Sequence, residues 1–299
     1  MFLEELLDKK LYIGFFAFIY YHITMPKRKQ FEELTIQDDF MFCKVMQNMN
    51  ICKKVLELVL EEDISIKKIT SQQTIENNSE TKAVRLDVLV EDEDNNNIDV
   101  EMQMVNNDKI PQRMRLYQAN IDVYGTSKGI PYAEMPNTII MFFCMFDPIG
   151  EGLPIYTFEN ICRENKEIAL NDGTLKVIVN VKAYEKVENP ELRALLKYIC
   201  DGTVTNSLTK EIDMNISEIK RNAKFAQEYM SFCATLQDER AEGIKEGIQK
   251  GMQRGRREGM QKGIKEGNIN TARKMKKANC DIAFIKEMTG LSQKEIEAL

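Results

Sequence analysis

The sequence predicts an α/β protein that ends in a helical tail, and three patterns predict it. Residues 84–105 alternate apolar and polar with the period of two that marks β-strands, strand-like runs return between Thr138 and Val181, and from Pro190 onward the apolar residues recur at helical spacing. In the first strand, Val84 to Glu91, the residues Val84, Leu86, Val88 and Val90 alternate with Arg85, Asp87, Leu89 and Glu91. In the second, Ile98 to Val105, the residues Ile98, Val100, Met102 and Met104 point one way and Asp99, Glu101 and Gln103 the other. The segment Asp92-Glu93-Asp94-Asn95-Asn96-Asn97 between them is turn-forming, so the pair is an antiparallel hairpin. A register that sets Leu86 opposite Met102 also sets Asp87 opposite Glu101, at roughly 5 Å between Cβ atoms, with Gln103 on the same polar edge. Two carboxylates that close repel unless something positive lies between them. Hard Mg²⁺ suits the position, because it accepts one or two protein carboxylates and leaves its other positions to water and phosphate.

Helices are predicted on both sides of the hairpin. Before it, Thr35 is placed as an N-cap with Asp38 in the capping-box position, and Phe40, Phe42, Val45 and Met46 form the apolar face. Val55, Leu56, Val59 and Leu60 carry a second helix to about Glu62, Ile64 to Ile69 reads as a strand edge, and Thr70 to Lys82 as a polar loop. After the hairpin, Pro111 suits the first turn of a helix that runs to about Tyr124 and ends at Gly125 and Gly129. Thr138 to Met145 is a continuous apolar run of the central-strand kind, Ile155 to Ile161 a shorter one, and Leu175 to Val181 alternates after an Asn171-Asp172-Gly173 turn.

Composition narrows the chemistry. A hydrophobic fraction of 43% and a charged fraction of 29% describe an ordinary globular chain, long enough at 299 residues for one good core with appendages. The seven cysteines stand without a CxxC pair, which predicts reduced thiols in a cytoplasmic protein and no zinc site. His22 is the one histidine, so His-based nucleophile activation and His-metal chemistry are excluded and any catalysis runs on carboxylates, lysine or metal. The apolar run Leu11 to Ile23 is shorter than the ~20 residues a membrane span requires, and no stable membrane insertion is expected. Residues 1–24 read as an accessory extension, an over-called translation start ahead of Met25, with a peripheral membrane contact as the alternative.

The tail is read as helical throughout. Leu192, Leu195, Leu196 and Ile199 mark one helix, and Ile216 to Gln237 a longer amphipathic one. Gly243, Gly247, Gly251, Gly255, Gly259, Gly263 and Gly267 then recur every four residues. A four-residue period drifts by ~40° per repeat on a helix, so the glycines trace a slow spiral that either admits a partner helix or forms a partly helical tether. Between residues 241 and 277 eleven lysines and arginines stand against four glutamates, although the whole chain carries a net charge of −6. A basic tail on an acidic body suggests an anionic partner, and a solvated helix explains the same composition. Thr289-Gly290-Leu291-Ser292 separates two short terminal helices, with Ser292 as a cap.

The run Asp39-Phe40-Met41-Phe42-Cys43-Lys44, then Arg85-Leu86-Asp87-Val88, Asp99-Val100-Glu101-Met102-Gln103, the helix with Arg113, Arg115 and Tyr117, and Ile155-Tyr156-Thr157-Phe158 with Cys162 resemble the recombination-promoting nuclease or transposase family of the PD-(D/E)XK superfamily. The similarity covers about Lys27 to Lys182, and the glycine repeat with Thr289-Gly290-Leu291-Ser292 is similar to tails that many members carry. The resemblance implies a mixed β-sheet flanked by helices in a restriction-endonuclease-like core, and Mg²⁺-dependent (or Mn²⁺-dependent) hydrolysis of DNA phosphodiesters. It makes Asp87 and Glu101 the metal ligands, puts Gln103 where the superfamily carries a lysine, and gives Asp39 an orienting role at the site. Lys109, Arg113 and Arg115 are candidate contacts to the DNA backbone. The domain organisation that follows is an extension at 1–24, a nuclease-like domain at 25–186, a helical region at 187–240, a glycine-repeat helix or tether at 241–270 and a helical hairpin at 271–299, with homo-oligomer formation through the C-terminal helices. The alternative is a catalytically weak or inactive relic that acts as a DNA-binding or protein-interaction module through its tail.

Overall fold

A computed structural model describes residues 29–75, 84–106, 109–126 and 129–299. The N-terminal extension and His22 lie outside the described residues. The chain divides into two compact units, one up to Tyr229 and one from Met230 to Leu299.

In the first unit the described residues form a six-stranded mixed sheet in the order β1-β2-β3-β4-β6-β5. The strands are β1 (Ile66–Ile75), β2 (Val84–Asp92), β3 (Asn96–Gln103), β4 (Asn137–Cys144), β5 (Ile155–Phe158) and β6 (Thr174–Asn180). β2 runs antiparallel to both of its neighbours, β1 and β3, while β3, β4 and β6 run parallel, and β5 returns antiparallel along β6. The parallel β3–β4 pair requires a crossover, and α3 (Ile110–Gly125) supplies it, with Pro111 in its first turn. Ile110, Met114 and Ile121 of that helix pack with Leu89, Ile140, Phe142 and Ile178 on one face of the sheet. On the other face Phe42, from α1 (Asp39–Met46), meets Phe143 with ring centroids 6.1 Å apart. Helix α2 (Met49–Leu60) buries Ile51, Cys52, Val55, Leu56 and Val59.

The structure departs from the sequence reading at three elements. The stretch from Thr70, expected as a loop, is strand as far as Ile75: Thr70 to Thr74 are polar, but the backbone pairs with β2 from Leu89 to Val84, Ile75 is buried in the core, and an edge strand needs only one partner. Asp38 takes the N-cap place of α1, and its carboxylate turns back to accept from the Thr35 backbone N–H at 2.8 Å. The predicted helix over 216–237 is two: α5 (Ser207–Arg221) stops at Asn222, whose φ of −90° and ψ of 108° leave the helical region. Asn222 then accepts from the Lys224 N–H at 3.0 Å and starts α6. α4 (Pro190–Asp201) opens on an Asn189 cap and closes on Gly202 at φ 78°.

The 55-residue helix α6 (Ala223–Lys277) carries all seven period-four glycines. In the second unit Ala272, Ile285, Leu291 and Ile296 make a small core between the end of α6, α7 (Ile282–Thr289) and α8 (Gln293–Glu297). Gly290 turns the chain at φ 66°, and Ser292 caps α8 in a box with Glu295. No described helix is long and apolar enough to cross a membrane.

Candidate active site

The β2–β3 ladder runs from Glu91 opposite Asn97 to Val88 opposite Val100 and then stops. Beyond that point β2 goes on pairing with β1, to Val84 opposite Ile75, and β3 goes on pairing with β4, to Gln103 opposite Cys144. The sheet therefore forks, and Asp87 and Glu101 are the first residues past the split, one on each arm. Their side chains take up backbone donors where the ladder stops: the Asp87 N–H donates to Glu101 Oε1 at 2.8 Å and the Met102 N–H to Asp87 Oδ2 at 3.2 Å. The register read from the sequence is the one the strands adopt. Its environment is different. β3 is a central strand, and α3 lies over its polar side, so Asp99 is fully buried and Glu101 and Gln103 are 2% and 9% exposed, where an edge open to water was expected.

Burial and mutual repulsion raise the carboxyl pKa values here. Asp87 is pushed up to about 7, first by burial and then by Asp39. Glu101 is held well above the ordinary range by burial, then by Asp99 and Asp87. Asp99 is raised well above its usual range by burial and then by Asp87, and neither of its oxygens has a hydrogen-bond partner. Asp39, at the start of α1, is exposed as a residue, but partial withdrawal of its carboxyl from water raises it against the pull of Arg85.

Arg113 reaches into this group from α3. It donates to Gln103 Oε1, to Glu101 Oε2 at 3.4 Å and to the Tyr117 hydroxyl at 3.0 Å, and its guanidinium lies over the rings of Tyr117 and Phe142 at 5.4 and 5.3 Å. Gln103 also donates to Glu101 Oε2 at 3.3 Å. Burial opposes the Arg113 charge, but Tyr117, Glu101 and Asp87 outweigh it and hold the guanidinium charged. Cys43 donates its thiol to the Asp87 carbonyl at 3.3 Å, and burial beside the acids keeps it protonated, which removes it as a nucleophile.

Asp87, Glu101, Gln103, Asp39 and Arg113 are thus neighbours, whereas Lys109 and Arg115 are exposed at the start and on the outer side of α3 with no hydrogen bond or ion pair to the acids. Sequence reasoning passed over Asp99, although the alternation already set it on the face of Glu101. It also placed Arg113 at the DNA backbone; its contact with Gln103 depends on how α3 crosses the sheet.

The donor set fits a hard divalent cation. Among the described residues no three His, Cys, Asp or Glu side chains are grouped to hold a metal by themselves. Two carboxylates on facing arms, with further coordination positions left to water or phosphate, suit a hard divalent cation such as Mg²⁺.

A mixed sheet forked around a carboxylate pair and flanked by helices is a restriction-endonuclease-like α/β core. The model of the PD-(D/E)XK nuclease family transposases matches residues 37–232, and the chain belongs to that family. No curated protein matches it and no solved structure matches it.

Proposed function

We infer that this protein is a divalent-metal-dependent DNA endonuclease of recombination or mobile elements, working in the cytoplasm. The observation that carries the reading is the sheet fork, which sets Asp87 and Glu101 on facing arms beside a buried third acid. Asp87 and Glu101 are the residues to hold Mg²⁺ or Mn²⁺, which when bound polarises the phosphate and acidifies a water. The chain's own part is positioning. The Met102 and Asp87 amides fix the two carboxylates, Asp39 orients the mouth of the fork, and α3 covers the inner end of the site, where Asp99 lies out of contact with water. In-line attack by water forms one P–O bond and breaks the other, the attacking water gives up its proton to solvent, the leaving oxygen takes one from solvent, and no covalent protein intermediate is needed.

Supercoiled plasmid incubated with the protein and Mg²⁺ is expected to be nicked or linearised, and Asp87→Asn and Glu101→Gln are each expected to leave it intact. Cutting by either variant at the parent rate rejects the assignment. Gln103 favours a second reading, a weak or inactive nuclease kept as a binding module, because an amide brings no positive charge to the phosphate. Calorimetric titration separates the two: a module shows no heat with millimolar Mg²⁺ or Mn²⁺.

A further inference from the structure

Phosphodiester hydrolysis spreads negative charge over the phosphate oxygens as the new P–O bond forms, and a fixed positive group at that place lowers the barrier. The fork holds several acids, and Gln103, on the same strand face, is neutral. Two arginines lie near these acids: Arg85, whose charge acts on Asp39 and Asp87 from β2, and Arg113, which donates to Gln103 Oε1 and to Glu101 Oε2 at 3.4 Å and so reaches the Glu101 arm of the fork. The Arg113 side chain is 26% exposed against 2% for Glu101, so an incoming phosphate meets the guanidinium before that buried carboxylate. Three groups fix it from different sides. Gln103 accepts at one nitrogen, Tyr117 accepts at the other at 3.0 Å, and the rings of Tyr117 and Phe142 lie under its plane. Two ring contacts and two anchoring hydrogen bonds are more than a surface arginine needs to meet a DNA backbone, and they leave the guanidinium edge toward the fork.

We propose that Arg113 is a catalytic residue, contributing the positive charge at the scissile phosphate, and that Gln103 is a positioning residue that holds the guanidinium there through its carbonyl oxygen. Lys109 and Arg115 belong to the outer surface and have no such part. The assignment rests on the nuclease reading above. It gives Gln103, which stands where the superfamily carries a lysine, a mechanical role, and it answers the objection that an amide brings no positive charge to the phosphate.

The test uses the full chain with Mg²⁺ and supercoiled plasmid. Arg113→Met keeps the stem packed on Tyr117 and Phe142 while removing the charge, and kcat is expected to fall by about 100-fold to 1000-fold. KM for DNA and calorimetric Mg²⁺ affinity are expected to hold or, for the metal, to tighten, since a cation competing for Glu101 has gone. Adding Gln103→Lys to Arg113→Met returns a cation to the same place and is expected to restore part of kcat. Gln103→Ala alone is expected to lower kcat less than Arg113→Met. A parent that cuts and an Arg113→Met variant that cuts equally well overturn the assignment alone. Loss of Mg²⁺ binding together with a lowered melting temperature in Arg113→Met also overturns it, because that is the signature of a counter-ion that merely supports the acids. A parent that leaves plasmid intact overturns the nuclease reading, and this assignment with it.

Discussion

Asp87 and Glu101 set the pH behaviour of the site together, Glu101 being held well above its usual range by burial and by its neighbours Asp99 and Asp87. The Asp87 carboxyl titrates at about 7, so below that value a proton occupies the oxygens a cation needs. Calorimetric Mg²⁺ affinity is therefore expected to rise between pH 6 and pH 8, and cutting with it; a flat profile would show that Asp87 is not a ligand. The same shift bears on folding with a definite sign. The unfolded carboxyl ionises near its ordinary value of 3.8, so between there and about 7 the native state holds the extra proton. Stability from this group is full below the lower value and falls as pH rises to the upper one, by at most about 4 kcal/mol if Asp87 alone carried it. Asp87→Asn is accordingly expected to melt higher than the parent at pH 8 without metal, and the gap to shrink at pH 5. Mg²⁺ should raise the melting temperature of the parent and leave that of the variant unmoved.

Elements are held by quite different means in the two units. The central strands are held by burial on both faces, Val88, Val90, Ile98 and Val100 being 0% exposed on one and Leu89 and Asp99 3% and 0% on the other. Helix α6 has little of this. Through the glycine repeat its residues are exposed, and a Cβ built on any of the seven glycines meets nothing within 4 Å. Each glycine costs about 0.5 to 1 kcal/mol of helix stability against alanine, so the repeat carries a large local penalty that the isolated chain does not recover. Replacing Gly247, Gly251 and Gly255 by alanine is expected to raise helicity at 222 nm and delay the thermal loss of that signal. A lower helicity in the triple variant would show that the glycines meet a partner that alanine keeps out. Ile244, Ile248, Met252, Met260 and Ile264, each following one of the glycines, are at least 40% exposed and add to the case for such a partner.

Across the whole molecule, charge and assembly go together. A net charge of −6 repels DNA at long range, yet lysine and arginine crowd the second half of α6. Removing residues 241–299 is expected to reduce the mass measured by light scattering and to flatten the salt dependence of DNA binding. An unchanged mass would reject assembly through the tail, and an unchanged salt slope would reject its contact with phosphate.

What the sequence determined by itself was whatever depends on neighbours along the chain. The period of two in Val84–Glu91 and Ile98–Val105, with a polar turn between, set the hairpin and limited it to even registers, and the one that places Leu86 opposite Met102 is the one the strands follow. That register carried Asp87 to Glu101. The Ser292 cap and the turn at Gly290 are equally local, since each satisfies a helix end within three residues, and the caps Asn189 and Gly202, which the sequence reading did not name, are of the same local kind. Only the tertiary structure decided what surrounds the pair. That β3 takes β4 as its second neighbour, that the ladder opens after Val88, and that α3 crosses the polar face are long-range events, and no periodicity records which face a crossover helix covers. They turn an edge expected to face water into a buried acid group. They raise Asp99 from an unremarked strand residue to an acid without a hydrogen bond, and bring Arg113 from the DNA-facing surface to Gln103. The carboxylate pair came from the strands, and its electrostatics from the helix laid over them, because desolvation depends on what packs above a residue and not on what precedes it.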